Sequence, residues 1–216
     1  EFMSHSVREN IKQLRQEIGN VELVVVSKYR TIDELNYAYQ SKQRSFAENR
    51  VQELIKKKEL MPDDVQWHMI GHLQTNKVKF IASFIHLIHS VDRLKLIKEI
   101  NKEAKKYNRV ISVLLQIHIA QENNKFGFTI DEVIQIIESN QFSEFKNVKI
   151  IGLMGMATNT SDKDIVKSEF NKLHSFFSER KDQMKWTTLS MGMSSDYPQA
   201  IECGSTLVRI GSKIFQ

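Results

Sequence analysis

Two hydrophobic periods take turns along the chain. Residues 4 to 18 place Val7, Ile11, Leu14 and Ile18 at three- and four-residue spacing with Gly19 behind them, the stripe of an amphipathic helix and its stop. Glu22 to Ser27 then reads as a nearly continuous apolar run, the pattern of a strand buried on both faces of a parallel sheet. Lys28 ends that run. Thr31 to Glu34 fits a capping box, and Ile32, Leu35 and Tyr39 give the next helix its buried stripe.

The alternation continues to the end of the chain. Further strands are predicted at Arg44 to Ala47, Val65 to Ile70, Ile85 to His89, Val110 to Ile119 and Val148 to Met154. The helices between them carry Val51, Leu54 and Ile55, then Val78, Ile81 and Phe84, then Leu94, Ile97, Ile100 and Ala104. Ser90 and Asp92 are cap candidates for the last of these, and a second capping box spans Thr129 to Glu132. Val166, Phe170, Leu173 and Phe177 mark the helix after the sixth strand.

The closing stretch, Leu189 to Phe215, holds two more apolar runs, one stopping at Ser190 and Met191 and one covering Thr206 to Ile210. Between them Ser194-Ser195-Asp196 reads as the start of a short helix with Pro198 in its first turn and Gly204 at its end. Eight strand-then-helix units without a linker predict one parallel (β/α)8 TIM-type barrel over residues 3–216 with an extra N-terminal helix. That helix precedes the first strand and is expected to cover the closed end. The alternative, a doubly wound open sheet, lacks the Gly-x-Gly-x-x-Gly turn after its first strand.

At 216 residues, 41% hydrophobic and 26% charged, the chain has the composition of one folded domain rather than of a disordered one. A single cysteine, Cys203, excludes an internal disulfide and, with no zinc-like spacing, suits a reducing cytoplasm; Cys203 itself reads as a packed helix residue. No segment approaches the ~20 apolar residues of a membrane span. The net charge of +5 is spread over many helix faces, and the one lysine run, Lys56 to Lys58, is followed by Glu59, so nucleic acid is not the expected partner. Glu1-Phe2 ahead of Met3 reads as a cloning remnant.

On a barrel, the strand ends bring Lys28, Asn49, His68, Ser90, His118, Ser194 and Arg209 to the face where barrel active sites lie. Strand alternation groups Lys28 with Val24 and Val26. If Val26 points inward, the amine lies among apolar groups that lower its pKa and make it a nucleophile toward an aldehyde; otherwise it is a lysine snorkelling from a strand end. Arg209 lies within the last strand, and a guanidinium there needs an acceptor, either a barrel carboxylate or a ligand. The loops after strands seven and eight form the usual barrel phosphate site. Lysine, arginine and phosphate site together describe pyridoxal 5'-phosphate.

The motifs VVVSK (Val24–Lys28), FAENRVQE (Phe46–Glu53), WHMIGHLQTNK (Trp67–Lys77), SVD (Ser90–Asp92), GLM (Gly152–Met154), LSMGMSSD (Leu189–Asp196) and VRIGSKIF (Val208–Phe215) closely resemble the pyridoxal 5'-phosphate homeostasis protein family. The resemblance runs through essentially the whole chain. It implies a barrel like the N-terminal domain of alanine racemase, with Lys28 as the Schiff-base lysine. By motif position, Asn49 lies beside the cofactor, Met191 lines the pocket, Ser194, Gly211 and Ser212 hold the phosphate, and Arg209 faces the pyridine nitrogen. His68, His72 and His118 receive no role. The sequence departs from the family pattern at Ala47, where glycine is usual, at His118, where asparagine is common, and at Ser212, where the usual threonine hydroxyl is kept. It also ends at Gln216, where relatives usually continue.

The resemblance further implies a protein that holds pyridoxal phosphate without turnover and passes it to apo-enzymes, and a cytoplasmic monomer is expected. An amino-acid racemase or other simple pyridoxal enzyme is the alternative. It needs a second acid–base group, for which Tyr29 and Tyr197 are the nearest hydroxyls in sequence.

Overall fold

Apolar runs with no polar side have to be covered on both faces, and a barrel wrapped in helices does this for every strand. A computed structural model describes residues 2–123 and 126–216; Glu1, half of the remnant expected above, lies outside them. The strands are β1 (Glu22–Val26), β2 (Ser45–Glu48), β3 (Gln66–Met69), β4 (Leu87–Val91), β5 (Ile111–Gln116), β6 (Val148–Met154), β7 (Thr188–Ser190) and β8 (Leu207–Ile210). They close in chain order into one barrel, every pairing parallel. The (β/α)8 fold expected from the sequence is the fold observed.

Alternation sorts the side chains into two layers. Val24, Ala47, Leu87, Leu114, Met154 and Leu207 pack together inside the barrel. Their strand neighbours Val25, Phe46, Ile88, Val113, Leu153 and Val208 join the larger core shared with the helices. These are α1 (Phe2–Ile18), α2 (Ile32–Gln40), α3 (Val51–Leu60), α4 (Leu94–Lys106), α5 (Ile130–Glu138), α6 (Lys163–Met184) and α7 (Tyr197–Glu202). Both expected capping boxes form, Thr31 with Glu34 and Thr129 with Glu132.

Three local expectations are corrected. Helix α1 does not cover the closed end. It lies against α2, Arg15 donating to Ser41 O and Gln43 Oε1, and against the C-terminal segment, Asn10 donating to Ile214 O. It therefore fills the place of the outer helix that would follow β8. In place of the helix expected to carry Val78, Ile81 and Phe84 there is a 3-10 helix, Thr75–Phe80, capped at Ile81, with Phe84 in the turn beyond it. Val78 and Ile81 are buried at a three-residue repeat, which suits three residues per turn. Ser90 and Asp92 do not cap α4, whose N-cap is Arg93. Ser90 lies within β4, and Asp92 instead pairs with Arg93 at 2.5 Å.

Candidate functional site

The C-terminal strand ends form the mouth of the barrel, and its first arc is built from β8, β1 and β2. Val26 stands opposite Ala47 at the end of the paired register of β1 and β2, and Lys28 and Asn49 each follow two residues beyond that pair. Lys28 is exposed, its Nζ 4.9 Å from the centre of the Tyr29 ring. The inward, apolar setting that alternation offered for it is not what the structure shows. β1 ends at Val26, and Tyr29 takes a left-handed backbone (φ 65°), so the chain turns before Lys28 can continue the strand. Its amine is presented at the surface of the mouth.

Beneath this arc lies a buried polar knot. Lys57 reaches in from α3 to Glu48 Oε2 at 2.7 Å and Ser27 O at 2.6 Å. Ser27 Oγ donates to the same Glu48 oxygen at 2.8 Å, and Asn49 N donates to Glu48 Oε1 at 2.8 Å. Ser27 precedes Lys28 and Glu48 precedes Asn49, so one ion pair fixes the stems of both site residues. Gly71 presses on the other side: a Cβ there would lie 2.1 Å from Asn49 O.

The second arc is built from the turns after β7 and β8. The backbone N–H groups of Ser194, Ser195, Ser212 and Lys213 donate to no acceptor among the described residues. Successive free N–H groups in a turn suit an anion. The turn is shaped by Gly192 (φ 106°), whose Cβ would come 2.7 Å from that of Ala200. Helix α7 starts later than the sequence suggested, with Asp196 as N-cap, and Pro198 sits in its first turn as expected. Asp196 Oδ1 accepts from Met193 N at 2.8 Å rather than capping the helix. Burial raises the Asp196 carboxyl above its ordinary pKa, against the pull of the Met193 N–H and of Arg209. Met191 is fully buried and packs in the core between barrel and helices.

Arg209 joins the mouth to the barrel interior. It is buried, and burial lowers its guanidinium to about 10, which leaves it charged at neutral pH. Its NH1 donates to Ser190 Oγ in a short bond and its NH2 to Gly155 O at 3.3 Å. Among the described residues no carboxylate forms a salt bridge with it, and Asp196, which shares the cavity wall, is the acidic group whose charge acts on it. Behind Ser190, His89 Nδ1 lies 2.9 Å from the same oxygen, and His68 Nδ1 lies 2.9 Å from His89 Nε2. Burial lowers His68 to about 3 and His89 well below its ordinary value. In front of Arg209 opens a cavity of about 300 Å³ lined by residues 156–160, Gly192, Met193, Ser195, Asp196 and Phe170. Its size is at the lower limit for a small-molecule pocket.

Comparison with known proteins matches residues 4–216 to the family described as alanine racemase, N-terminal domain. The pyridoxal phosphate homeostasis proteins of Pasteurella multocida (strain Pm70) and Schizosaccharomyces pombe are 32% and 38% identical to the chain. They match it over 99% and 98% of its length and 93% and 91% of theirs. The chain belongs to this homeostasis-protein family. Among solved structures, PipY of Synechococcus elongatus PCC7942 with pyridoxal phosphate bound superposes with a TM-score of 0.88 at 32% identity. That match covers 97% of this chain and 100% of PipY.

Within the homeostasis-protein barrel, the remaining candidates separate clearly. His68 is an interior residue of β3, not a mouth residue. His72 stands on the rim, stacked on Phe126 with centroids 4.0 Å apart and 3.6 Å from Asp92. His118 is half-buried, and its backbone N donates to Phe128 O. Tyr197 is removed from any role at the mouth: its hydroxyl donates to Glu17 on α1 at 2.7 Å. Cys203 is buried at the end of α7. Sequence reasoning missed Ser27, Glu48, Lys57, His89 and Ser190. The signal available was a polar residue inside an otherwise apolar strand, as in LIHSV and SFAE.

Proposed function

We propose that the chain binds pyridoxal 5'-phosphate at the barrel mouth as a cytoplasmic, monomeric homeostasis protein, holding the cofactor and passing it to apo-enzymes. The observation that carries this reading is one barrel face with an exposed lysine amine, a buried arginine and two turns of free backbone N–H groups. The donors fit the group. Lys28 offers the amine for an aldehyde, Asn49 follows β2 on the same face, and Arg209 offers N–H donors to a ring nitrogen. The turns at Ser194 and at Gly211–Ser212 offer N–H and hydroxyl groups to a phosphate. Met191, buried in the core next to the β7 turn, would line the pocket from beneath. The bound group would supply an aldehyde and an electron-withdrawing ring.

Two features of the chain favour holding over turnover. An arginine that keeps its proton leaves a ring nitrogen facing it without one, which weakens the electron sink that racemases exploit. The racemase alternative also requires acid–base groups on both faces of a substrate carbon. Tyr197 is engaged on the outer layer, and Tyr29 is 87% exposed.

The test is to reduce the cofactor-loaded protein with borohydride and map the added mass. It is expected on Lys28; an adduct on Lys77 or Lys213 overturns the assignment. Pyridoxal is expected to bind much more weakly than its phosphate, since each charge-assisted hydrogen bond contributes about 1.5–3 kcal/mol. Equal affinities would remove the two turns from the site. Lys28-dependent amino-acid turnover of about 1 per second or faster would replace the carrier reading with the enzyme one.

A further inference from the structure

The polar line inside the barrel has a direction that proton counting reveals. Arg209 only donates, so its bond to Ser190 Oγ uses an oxygen lone pair. The hydroxyl proton is then free to point at His89 Nδ1, 2.9 Å away. A neutral His89 accepting at Nδ1 carries its proton on Nε2 and donates to His68 Nδ1, 2.9 Å further on. His68 then carries its proton on Nε2, a buried nitrogen with no partner among the described residues. In this arrangement one buried group is stranded.

The reverse arrangement strands two. If His68 donates from Nδ1 to His89, and His89 from Nδ1 to Ser190, the serine proton has no acceptor and His68 Nε2 is left with an unused lone pair. Stranded buried groups are costly, so the first arrangement wins. A charged histidine is disfavoured by burial and by the mutual repulsion of His68, His86, His89 and Arg209.

We propose that Ser190, His89 and His68 form a one-way line of donors, with both histidines held as neutral Nε2–H tautomers, that positions the Arg209 guanidinium at the barrel mouth. With NH1 held by Ser190 and NH2 by Gly155 O, the guanidinium plane is set from inside the barrel, and the cavity meets a donor of fixed orientation. Ser190, His89 and His68 are positioning residues; they act through Arg209. The importance of that orientation for pyridoxal phosphate rests on the functional reading above. The tautomers and the fixed guanidinium do not.

The test uses the ligand-free full chain labelled with nitrogen-15 in histidine and arginine. Long-range proton–nitrogen spectra at pH 6.5 to 8 are expected to show Nε2–H for both His68 and His89. An Nδ1–H tautomer or an imidazolium at either overturns the line. The Arg209 Nη signals are expected to be distinct and slowly exchanging in the unaltered chain. They should average in Ser190→Ala and be distinct again in Ser190→Thr, which restores a hydroxyl. Arg209 signals that stay distinct in Ser190→Ala overturn the positioning role. Adding pyridoxal phosphate is expected to give roughly tenfold weaker binding in Ser190→Ala, with recovery in Ser190→Thr. If the unaltered chain binds none, the functional reading fails, while the ligand-free spectra still decide the line.

Discussion

The two sides of the barrel mouth are held by different physics. Lys28 and Asn49 stand on a buried ion pair, Lys57 with Glu48, which Ser27 and the backbone of Asn49 complete. Arg209 stands on neutral groups, Ser190 and two uncharged histidines. A buried ion pair is intolerant of losing one partner, because the other is left as an uncompensated charge. A neutral line that loses a member strands only a dipole. The exposed residue is therefore the one with the more demanding foundation. The buried charge, Arg209, rests on the more tolerant one.

The largest expected effect comes from breaking the ion pair. Side chains of Lys57 and Glu48 are 6% and 2% exposed, so Lys57→Met or Glu48→Ala is expected to cost about 3–5 kcal/mol in urea unfolding. The double variant Glu48→Gln/Lys57→Met is expected to recover much of that loss, since no buried charge remains. Single variants that unfold within 1 kcal/mol of the unaltered chain would show that this pair is not the foundation of the Lys28 side.

Acid separates the two sides next. His68 has its pKa lowered from 6.5 to about 3 by burial, so between those values the unfolded chain binds a proton that the folded chain refuses. Stability is thus fully present above pH 6.5 and falls as the pH drops toward 3, by about 1.4 kcal/mol per pH unit from this residue. His89 is shifted in the same direction and adds to the slope. His68→Leu/His89→Leu is expected to be less stable at pH 7.5 but to lose much of that slope between pH 6.5 and 5. Parallel pH profiles for variant and unaltered chain would mean that the histidines take up protons freely when folded.

The contrast also shows what a sequence carries and what it does not. Strands buried on both faces are largely apolar, so eight of them could be read directly and most of their ends missed by only a residue or two, as with β2, while the end of β5 was set three residues too late. Site residues at strand ends were legible for the same reason: a lysine closing VVVSK or an arginine within LVRI interrupts an apolar run. Their supports were not. Lys57 lies nine residues from Glu48 and meets it only through the packing of α3 on β2, and His89 lies 101 residues from Ser190 and meets it only through the closure of the barrel. The position of α1 was illegible too, because an amphipathic stripe says that a face is covered without saying by what.

The smallest expected effect lies in the turns themselves, and it sharpens the comparison at the level of single backbone angles. The turn after β7 bends at Gly192 (φ 106°), where glycine has no Cβ to strain. The turn after β1 bends at Tyr29 (φ 65°), where a side chain costs about 1–2 kcal/mol. Tyr29→Gly relieves that strain but gives back about 0.4–1 kcal/mol through the freer unfolded chain. It also loses the contact between the ring and Lys28 Nζ, worth about 0.5–1 kcal/mol at an exposed site. The terms nearly cancel, so its melting temperature is expected within a few degrees of the unaltered chain. Tyr29→Ala keeps the strain and loses the ring, and is expected to melt lowest of the three. If alanine melted above glycine, the left-handed angle would not be a source of strain, and the turn that brings Lys28 to the surface would need another cause.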